Sequence, residues 1–146
     1  MPMKSEDVCK VIIIDDNSEF IEALKLLFHN SIHFEVIDHA YNGQEIVNHP
    51  KLRHADLLLM DINMPLLDGI SAARQINFHW PKIKMVAITL NCISVNLEVL
   101  IRAGFQGLID KAHVSASLTD VLHAVVANQY AFPKDLLVRK DMPGRT

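Results

Sequence analysis

The sequence has few cysteines, no long apolar run and no excess of positive charge. Its two cysteines, Cys9 and Cys92, show neither metal-ligand nor redox spacing. The longest apolar runs are about four residues, whereas a helix that crosses a membrane needs ~20. A formal net charge of -3 argues against a broad basic face for nucleic acid. We therefore expect a reduced, cytoplasmic protein that neither spans a membrane nor grips nucleic acid through this segment.

Histidine is present but forms no recognisable metal motif. The eight histidines are scattered, without an H-E-x-x-H pattern or a tight cluster. Half of the 146 residues are hydrophobic, which is ample for one packed core and short of two full domains. The expectation is a single domain with solvated histidines.

Short β-rich runs alternate with amphipathic stretches along the chain. Strands are predicted at 8–14, 34–37, 55–60, 83–88 and 107–109. Helices are predicted at 18–30, 43–48, 70–78, 94–103 and 115–128. Such alternation predicts an α/β fold: a five-stranded, doubly wound parallel sheet with helices on both faces, in three α/β/α layers.

Polar side chains follow four of the five predicted strands. The clearest case is the segment LLLMDINMPLLDG at 57–69, where an apolar run ends on Asp61. The carboxyl ends of parallel strands meet at one edge of a sheet, where ligands bind in open α/β folds. The side chains expected at this edge are Asp15, Asp16, Asp61, Thr89 and Lys111.

The three carboxylates would repel one another at close range, by about 4 kcal/mol per pair at ~4 Å and an effective dielectric near 20. Such a cluster must protonate, pair with a cation or bind a metal, and hard oxygen ligands suit Mg²⁺. An ionised Asp61 beside Mg²⁺ and Lys111 is a competent nucleophile toward phosphorus. Lys111, the Thr89 hydroxyl and backbone N–H groups near 62–63 could share the charge of a transferred phosphoryl group.

Four motifs at these strand ends resemble one family. They are IIIDD at 12–16, LLLMDINMPLLDG at 57–69, VAIT at 86–89 and GLIDK at 107–111. In this order and spacing, the chain closely resembles the receiver domain of bacterial two-component response regulators over residues 8–128. The resemblance implies the flavodoxin-like (βα)5 arrangement with strand order 2-1-3-4-5.

The resemblance also implies roles for single residues. Asp61 would be the phosphoacceptor, with Thr89 and Lys111 contacting the phosphoryl group. The implied Mg²⁺ ligands are the carboxylates of Asp15, Asp16 and Asp61 and the backbone carbonyl of Asn63. A histidine kinase or phosphotransfer protein would be the donor, and a second copy of the chain is a candidate partner. The domain would be a signalling switch and not an enzyme, since it would promote only its own phosphorylation and dephosphorylation.

Two positions depart from the family pattern in the region that switches. Leu90 stands where the family usually carries a small residue, and its bulk is expected to narrow access to the site. Leu108 stands where many members carry Tyr or Phe, so an aromatic rotamer swing is not available there. Asp110 is expected to add negative charge near the site and could pair with Lys111.

The predicted domain division is an N-terminal extension at 1–7, the receiver at 8–128 and a linker at 129–146. The linker resembles the segment that follows receivers bearing a C-terminal LuxR-type helix-turn-helix domain. Tyr130, Phe132, Pro133, Leu136 and Leu137 carry this weaker resemblance. It implies control of transcription through a DNA-binding effector domain in a longer protein, while a stand-alone receiver stays open.

Three other functions compete with a phosphorylated receiver. A haloacid-dehalogenase-type phosphatase would need a second Asp where Asn63 stands, and Asn cannot transfer protons. A flavodoxin-like flavin or nucleotide binder would need a Gly-rich or Ser/Thr-rich loop after the first strand, where this chain has the acidic segment DDNSEF. The third alternative is a receiver that works as a protein-interaction module without phosphorylation.

Overall fold

A computed structural model describes residues 7–134 of the chain. The strands are β1 (Cys9–Ile14), β2 (Phe34–Ala40), β3 (Leu57–Asp61), β4 (Lys84–Thr89) and β5 (Phe105–Asp110). The helices are α1 (Ser18–Phe28), α2 (Gly43–Val47), α3 (Gly69–His79), α4 (Leu97–Ala103) and α5 (Val114–Val126). Short 3₁₀ turns occupy Leu52–His54, Cys92–Ser94 and Lys111–His113.

All five strands are parallel and lie in the order β2-β1-β3-β4-β5. Successive side chains of the buried strands point to opposite faces, so both faces need an apolar cover. Ile12 and Ile14 join a cluster with residues of α2, α3 and α4, whereas Val11 and Ile13 join a second cluster with residues of α1 and α5. The predicted three-layer fold is confirmed.

Local capping explains where several helices begin. Asn17 accepts hydrogen bonds from the backbone N–H groups of Glu19 and Phe20 and so caps α1. Asn96 accepts from Glu98 and Val99 at the start of α4. The predicted start of α4 at 94 is therefore wrong, because the chain first forms the 3₁₀ turn Cys92–Ser94 and Asn96 then caps the helix.

Other predicted boundaries also need correction. β2 runs to Ala40 instead of ending at 37. The prediction stopped early because residues 38–40 (DHA) lack an apolar pattern. β5 spans six residues where three were predicted. The last helix begins at Val114, and Ser115 does not cap it, since the preceding 3₁₀ turn leads directly into the helix.

The predicted linker at 129–146 does not begin as a free segment. Ala131 forms a parallel bridge with Gly107 on β5, and Phe132 packs against one core cluster. Residues 135–146 of the linker and residues 1–6 of the predicted extension lie outside the described residues. Within residues 7–134, the helices all fall short of the length and apolar character that a membrane span requires.

Candidate functional site at the carboxyl ends of the strands

The sheet brings the predicted polar side chains together at one edge. Asp15 follows β1, while Asp61 and Thr89 are the last residues of β3 and β4. These three residues are 0%, 4% and 1% exposed, although each side chain carries a polar group. Burying such groups is costly without partners, so their immediate contacts define the site.

Lys111 links the two buried carboxylates. Its Nζ lies 2.7 Å from Asp15 Oδ2 and donates a hydrogen bond of 3.2 Å to Asp61 Oδ2. The contact with Asp15 is the shorter of the two and is a buried ion pair. The Lys111 ammonium also lies 4.5 Å from the centre of the Phe20 ring. The Lys111 ammonium thus contacts both buried carboxylates of the site.

Backbone N–H groups hold the other carboxylate oxygens. Asp15 Oδ1 accepts from the Asn17 N–H at 2.8 Å. Asp61 Oδ1 accepts from the Asn63 N–H at 2.9 Å. Each carboxylate therefore has one oxygen fixed by the following loop and the other directed at Lys111. The orientation of both groups is set before any ligand arrives.

Asn63 also connects the ends of β3 and β4. Its side-chain amide donates to Thr89 Oγ1 at 3.3 Å, and the Asn91 N–H donates to the same oxygen at 3.2 Å. Thr89 is thus held by the loops that follow both strands. The role predicted for the Asn63 backbone carbonyl as a metal ligand stays a prediction.

Burial and charge act in opposite directions on the site's titrating groups. Burial raises the pKa of the Asp61 carboxyl, and the Asn63 N–H opposes this rise; the charge of Asp15 raises the pKa further, and Lys111 lowers it. The net pKa of Asp61 is above its ordinary value. Burial alone would lower the pKa of Lys111, but the nearby Asp15 and Asp61 carboxylates outweigh burial and raise it. Lys111 is therefore a cation at neutral pH.

The acidic cluster has the donor set of a magnesium site. Asp15, Asp16 and Asp61 each offer a carboxylate oxygen, and these oxygens all lie within 4.8 Å of one another. Asp16 is exposed, whereas the other two are buried, so the cluster opens to solvent on one side. Three hard oxygen donors with an open side fit Mg²⁺, which keeps several waters and uses few carboxylates.

The loop after β3 is closed by a glycine that sequence reasoning did not single out. Gly69 N–H donates to the Ile62 carbonyl at 3.3 Å, and a Cβ at position 69 would lie 2.3 Å from the Asp61 carbonyl oxygen. Asp68 caps α3 by accepting from the Ser71 N–H. The Asp68-Gly69 pair, which marks a loop ending on a helix cap, was the available signal.

Several other contacts of the site were also missed from sequence. The Asn17 and Asn91 backbone N–H groups and the Phe20 ring all touch predicted site residues. The helical spacing of Phe20 in α1 predicts an apolar contact and does not reveal that the ring reaches Lys111. Backbone donors carry no residue signature, so only the fold could reveal them.

The remaining predicted residues lie around this centre. Leu90 is 72% exposed, whereas Leu108 is buried in the apolar cluster beneath α2, α3 and α4. The suggested pair between Asp110 and Lys111 is wrong. Asp110 accepts from the Ala112 N–H at 2.9 Å and caps the turn after β5, while Lys111 faces Asp15 and Asp61.

Residues 11–123 match the response regulator receiver domain family. The chain belongs to this family, and the predicted resemblance is confirmed. The match favours the receiver interpretation over the phosphatase and the flavin binder.

Relatives agree with this assignment. The transcriptional regulatory protein DegU of Brevibacillus brevis is 26% identical over 131 residues, which are 89% of this chain and 56% of DegU. The chain thus spans about half the length of this relative.

Solved structures show the same fold. The non-phosphorylated receiver domain of the stress response regulator RcsB from Escherichia coli has a TM-score of 0.78 and 21% identity, covering 87% of this chain and 99% of that domain. A LuxR-family two-component response regulator from Aurantimonas has a TM-score of 0.80 and 20% identity, covering 90% and 94%. At these identities the structural likeness establishes the fold alone.

Proposed function

We propose that this receiver accepts a phosphoryl group on Asp61 from a histidine kinase or phosphotransfer protein. The observation that carries the proposal is the contact set of Asp61. Its carboxylate is buried, one oxygen is fixed by the Asn63 N–H and the other faces Lys111. A carboxylate oriented in this way at the ligand-binding edge of the sheet is suited to act as a nucleophile.

In the proposed transfer, an Asp61 oxygen forms a bond to phosphorus as the bond between phosphorus and the donor imidazole nitrogen breaks. The bonding electrons return to the imidazole, which can then take up a proton from solvent. Lys111 is placed to balance charge on the phosphoryl oxygens. Thr89 can donate its hydroxyl proton to the same group once it leaves its present partners.

Asp15, Asp16 and Asp61 are the residues that would hold Mg²⁺, together with the Asn63 backbone carbonyl in our interpretation. When bound, the metal ion would neutralise charge between the carboxylates and the phosphoryl oxygens. The chain's own contribution is to place these oxygens close together before the metal arrives. Without a cation beyond Lys111, their mutual repulsion would remain partly unbalanced.

The wider role that we propose is a switch in a transcription regulator. The support is the match to DegU, a transcriptional regulatory protein, and the likeness to a LuxR-family regulator. On this view residues 8–128 form the switch and DNA is contacted through an effector domain of a longer protein. The domain would act as a signalling element and catalyse no reaction beyond its own phosphorylation and dephosphorylation.

Incubation with Mg²⁺ and acetyl phosphate, followed by intact mass, tests the proposal. We expect a gain of about 80 Da for one phosphoryl group in the wild type, lost with a chelator and absent in Asp61→Asn. A gain in both proteins would place the acceptor elsewhere and contradict the site. No gain in either would favour a receiver that works by protein interaction without phosphorylation.

A further inference from the structure

The Lys111 ammonium has a third neighbour that carries no charge. Its Nζ lies 4.5 Å from the centre of the Phe20 ring. The same atom lies 2.7 Å from Asp15 Oδ2 and 3.2 Å from Asp61 Oδ2. The face of an aromatic ring carries the negative part of its quadrupole, so it attracts a cation within about 6 Å of the ring centre. The Phe20 ring therefore attracts the cation that both buried carboxylates contact.

The start of α1 fixes the position of this ring. The Phe20 N–H donates to the Asn17 side chain at 3.2 Å, within the cap that begins the helix. The Asn17 N–H in turn donates to Asp15 Oδ1 at 2.8 Å. One short segment thus places the Asp15 carboxylate and the Phe20 ring against the same ammonium, and Asn17 is bonded to both residues.

Apolar packing holds the ring as well. Phe20 is half-buried and packs against the core cluster of α1 and α5, beside the buried Ile21. Val114 follows the 3₁₀ turn that begins with Lys111, and it packs against the same cluster. The ring and the lysine are therefore supported by one apolar cluster, so the contact between them is formed before a phosphodonor arrives.

A neutral ring suits this position better than a further acid would. The edge already holds Asp15, Asp16 and Asp61, whose carboxylate oxygens lie within 4.8 Å of one another. A phosphodonor brings more negative charge to the same place, so another carboxylate would oppose its approach. The ring face attracts the ammonium and adds no net charge. It thus holds the cation without repelling the donor.

The low exposure of the lysine matters for the proposed transfer. The Lys111 side chain is 12% exposed, and lysine is seldom buried unless it is paired. During the transfer Lys111 would exchange its bond to Asp61 Oδ2 for a bond to a phosphoryl oxygen. A cation that is shielded from water interacts more strongly with such an oxygen than a hydrated one does. A ring beside the ammonium supplies part of that shielding.

We propose that Phe20 is a positioning residue for phosphorylation, and that its ring holds the Lys111 ammonium beside Asp61 through a cation–π contact. The inference rests on the proposed phosphorylation of Asp61. Phe20 acts through Lys111 and not on the phosphoryl group itself. The electrostatic attraction of the ring face, and not only the bulk of the side chain, is what the site uses.

Two changes at position 20 separate the electrostatic effect of the ring from its bulk. Phe20→Leu removes the ring and keeps an apolar side chain. The amino acid 3,4,5-trifluorophenylalanine at position 20 keeps the ring and its shape but withdraws the negative charge from its face. Phe28→Leu is the matched control, because Phe28 is buried on the same helix and packs edge-on against Phe34 instead of a lysine.

Two rates are measured on the full chain. The first is the rate of mass gain with Mg²⁺ and acetyl phosphate. The second is the rate of reductive methylation of Lys111 without the phosphodonor, measured by peptide mass mapping as a ratio to Lys51, whose side chain is 52% exposed. We expect both changes at position 20 to slow phosphorylation about fivefold and to speed methylation of Lys111 about threefold. Phe28→Leu should change neither rate.

The outcomes separate this inference from the proposed function. If the wild type gains mass and the trifluorinated protein matches it in both rates, the inference is overturned and phosphorylation of Asp61 stands. Faster methylation with an unchanged rate of phosphorylation would also overturn the positioning role. If the wild type gains no mass, the proposed function fails. Methylation then decides the contact: faster methylation in both position-20 proteins supports it, and unchanged methylation overturns it.

Discussion

The two ends of the parallel strands are built on different principles. At the carboxyl ends, Asp15, Asp61 and Thr89 are buried polar groups that depend on one lysine and a few backbone donors. At the amino ends, β1, β2, β3 and β5 begin with the buried residues Cys9, Phe34, Leu57 and Phe105. The polar contacts there, such as Lys84 with Asn128, lie at the surface. Buried polar contacts are thus concentrated at the carboxyl ends, where the site lies, whereas the buried residues at the amino ends are apolar.

The largest expected effect comes from removing the cation at the carboxyl end. Lys111→Met keeps an apolar stem but leaves the Asp15 and Asp61 carboxylates buried without their shared ammonium. Breaking a buried ion pair in this way should lower the free energy of unfolding by about 3 kcal/mol. Urea unfolding in the presence of a chelator measures the loss.

Lys84→Met is the matched control at the amino end. The Lys84 ammonium bonds to the Asn128 side chain at the surface, where solvent replaces the contact, so its loss should stay below about 1 kcal/mol. Equal losses in the two variants would contradict the contrast between the two ends of the sheet.

The fold was predictable from sequence because its signals are local and repeated. Apolar runs such as 57–60 are long enough for central strands, and the polar residues that follow them mark the strand ends. The grouping of the polar site residues was also predictable from sequence, since parallel strands place their carboxyl ends together. The sequence therefore predicts that Asp15, Asp61, Thr89 and Lys111 lie at one edge of the sheet.

The parts that were missed depend on backbone contacts between distant segments. Ala131 pairs with Gly107 through main-chain atoms, and residues 129–133 have no strand-like pattern. Gly69 and Gly107 matter through the space beside them, which only the fold defines. The pair predicted between Asp110 and Lys111 was wrong because an acid next to a lysine in sequence can turn away from it. Asp110 instead accepts a hydrogen bond from the N–H of the turn that follows.

A smaller effect is expected from removing the buried charge at position 61. Burial raises the pKa of Asp61, so the folded state holds this proton more tightly than the unfolded chain does. That contribution to stability is complete below the ordinary carboxyl pKa of 3.8 and is lost as the pH rises through the higher folded-state pKa. With a chelator present at pH 7, Asp61→Asn should be more stable than the wild type by about 1 kcal/mol.

The pH dependence of that difference is the decisive measurement. Thermal unfolding of both proteins from pH 7 toward pH 4 should bring the two curves together, because protonation makes Asp61 neutral like Asn. Asp56→Asn, at an exposed position near the amino ends, is the matched control and should change stability little at either pH. If Asp61→Asn were the less stable protein at pH 7, the ion pair with Lys111 would outweigh the cost of burial.

The smallest expected effect on stability concerns the thiol at the amino end. Burial raises the pKa of Cys9 to about 12, with Asp56 adding to the rise and Lys84 opposing it. The folded state therefore keeps the thiol protonated, and this contribution to stability is present below pH 9 and lost as the pH rises toward 12.

At pH 8 the native protein should react with iodoacetamide at Cys92, which is half-buried, at least about ten times faster than at Cys9. Peptide mass mapping gives both rates, and in urea the difference should disappear. Equal rates in the native protein would mean that the amino ends open readily, and would contradict the protection that burial gives Cys9.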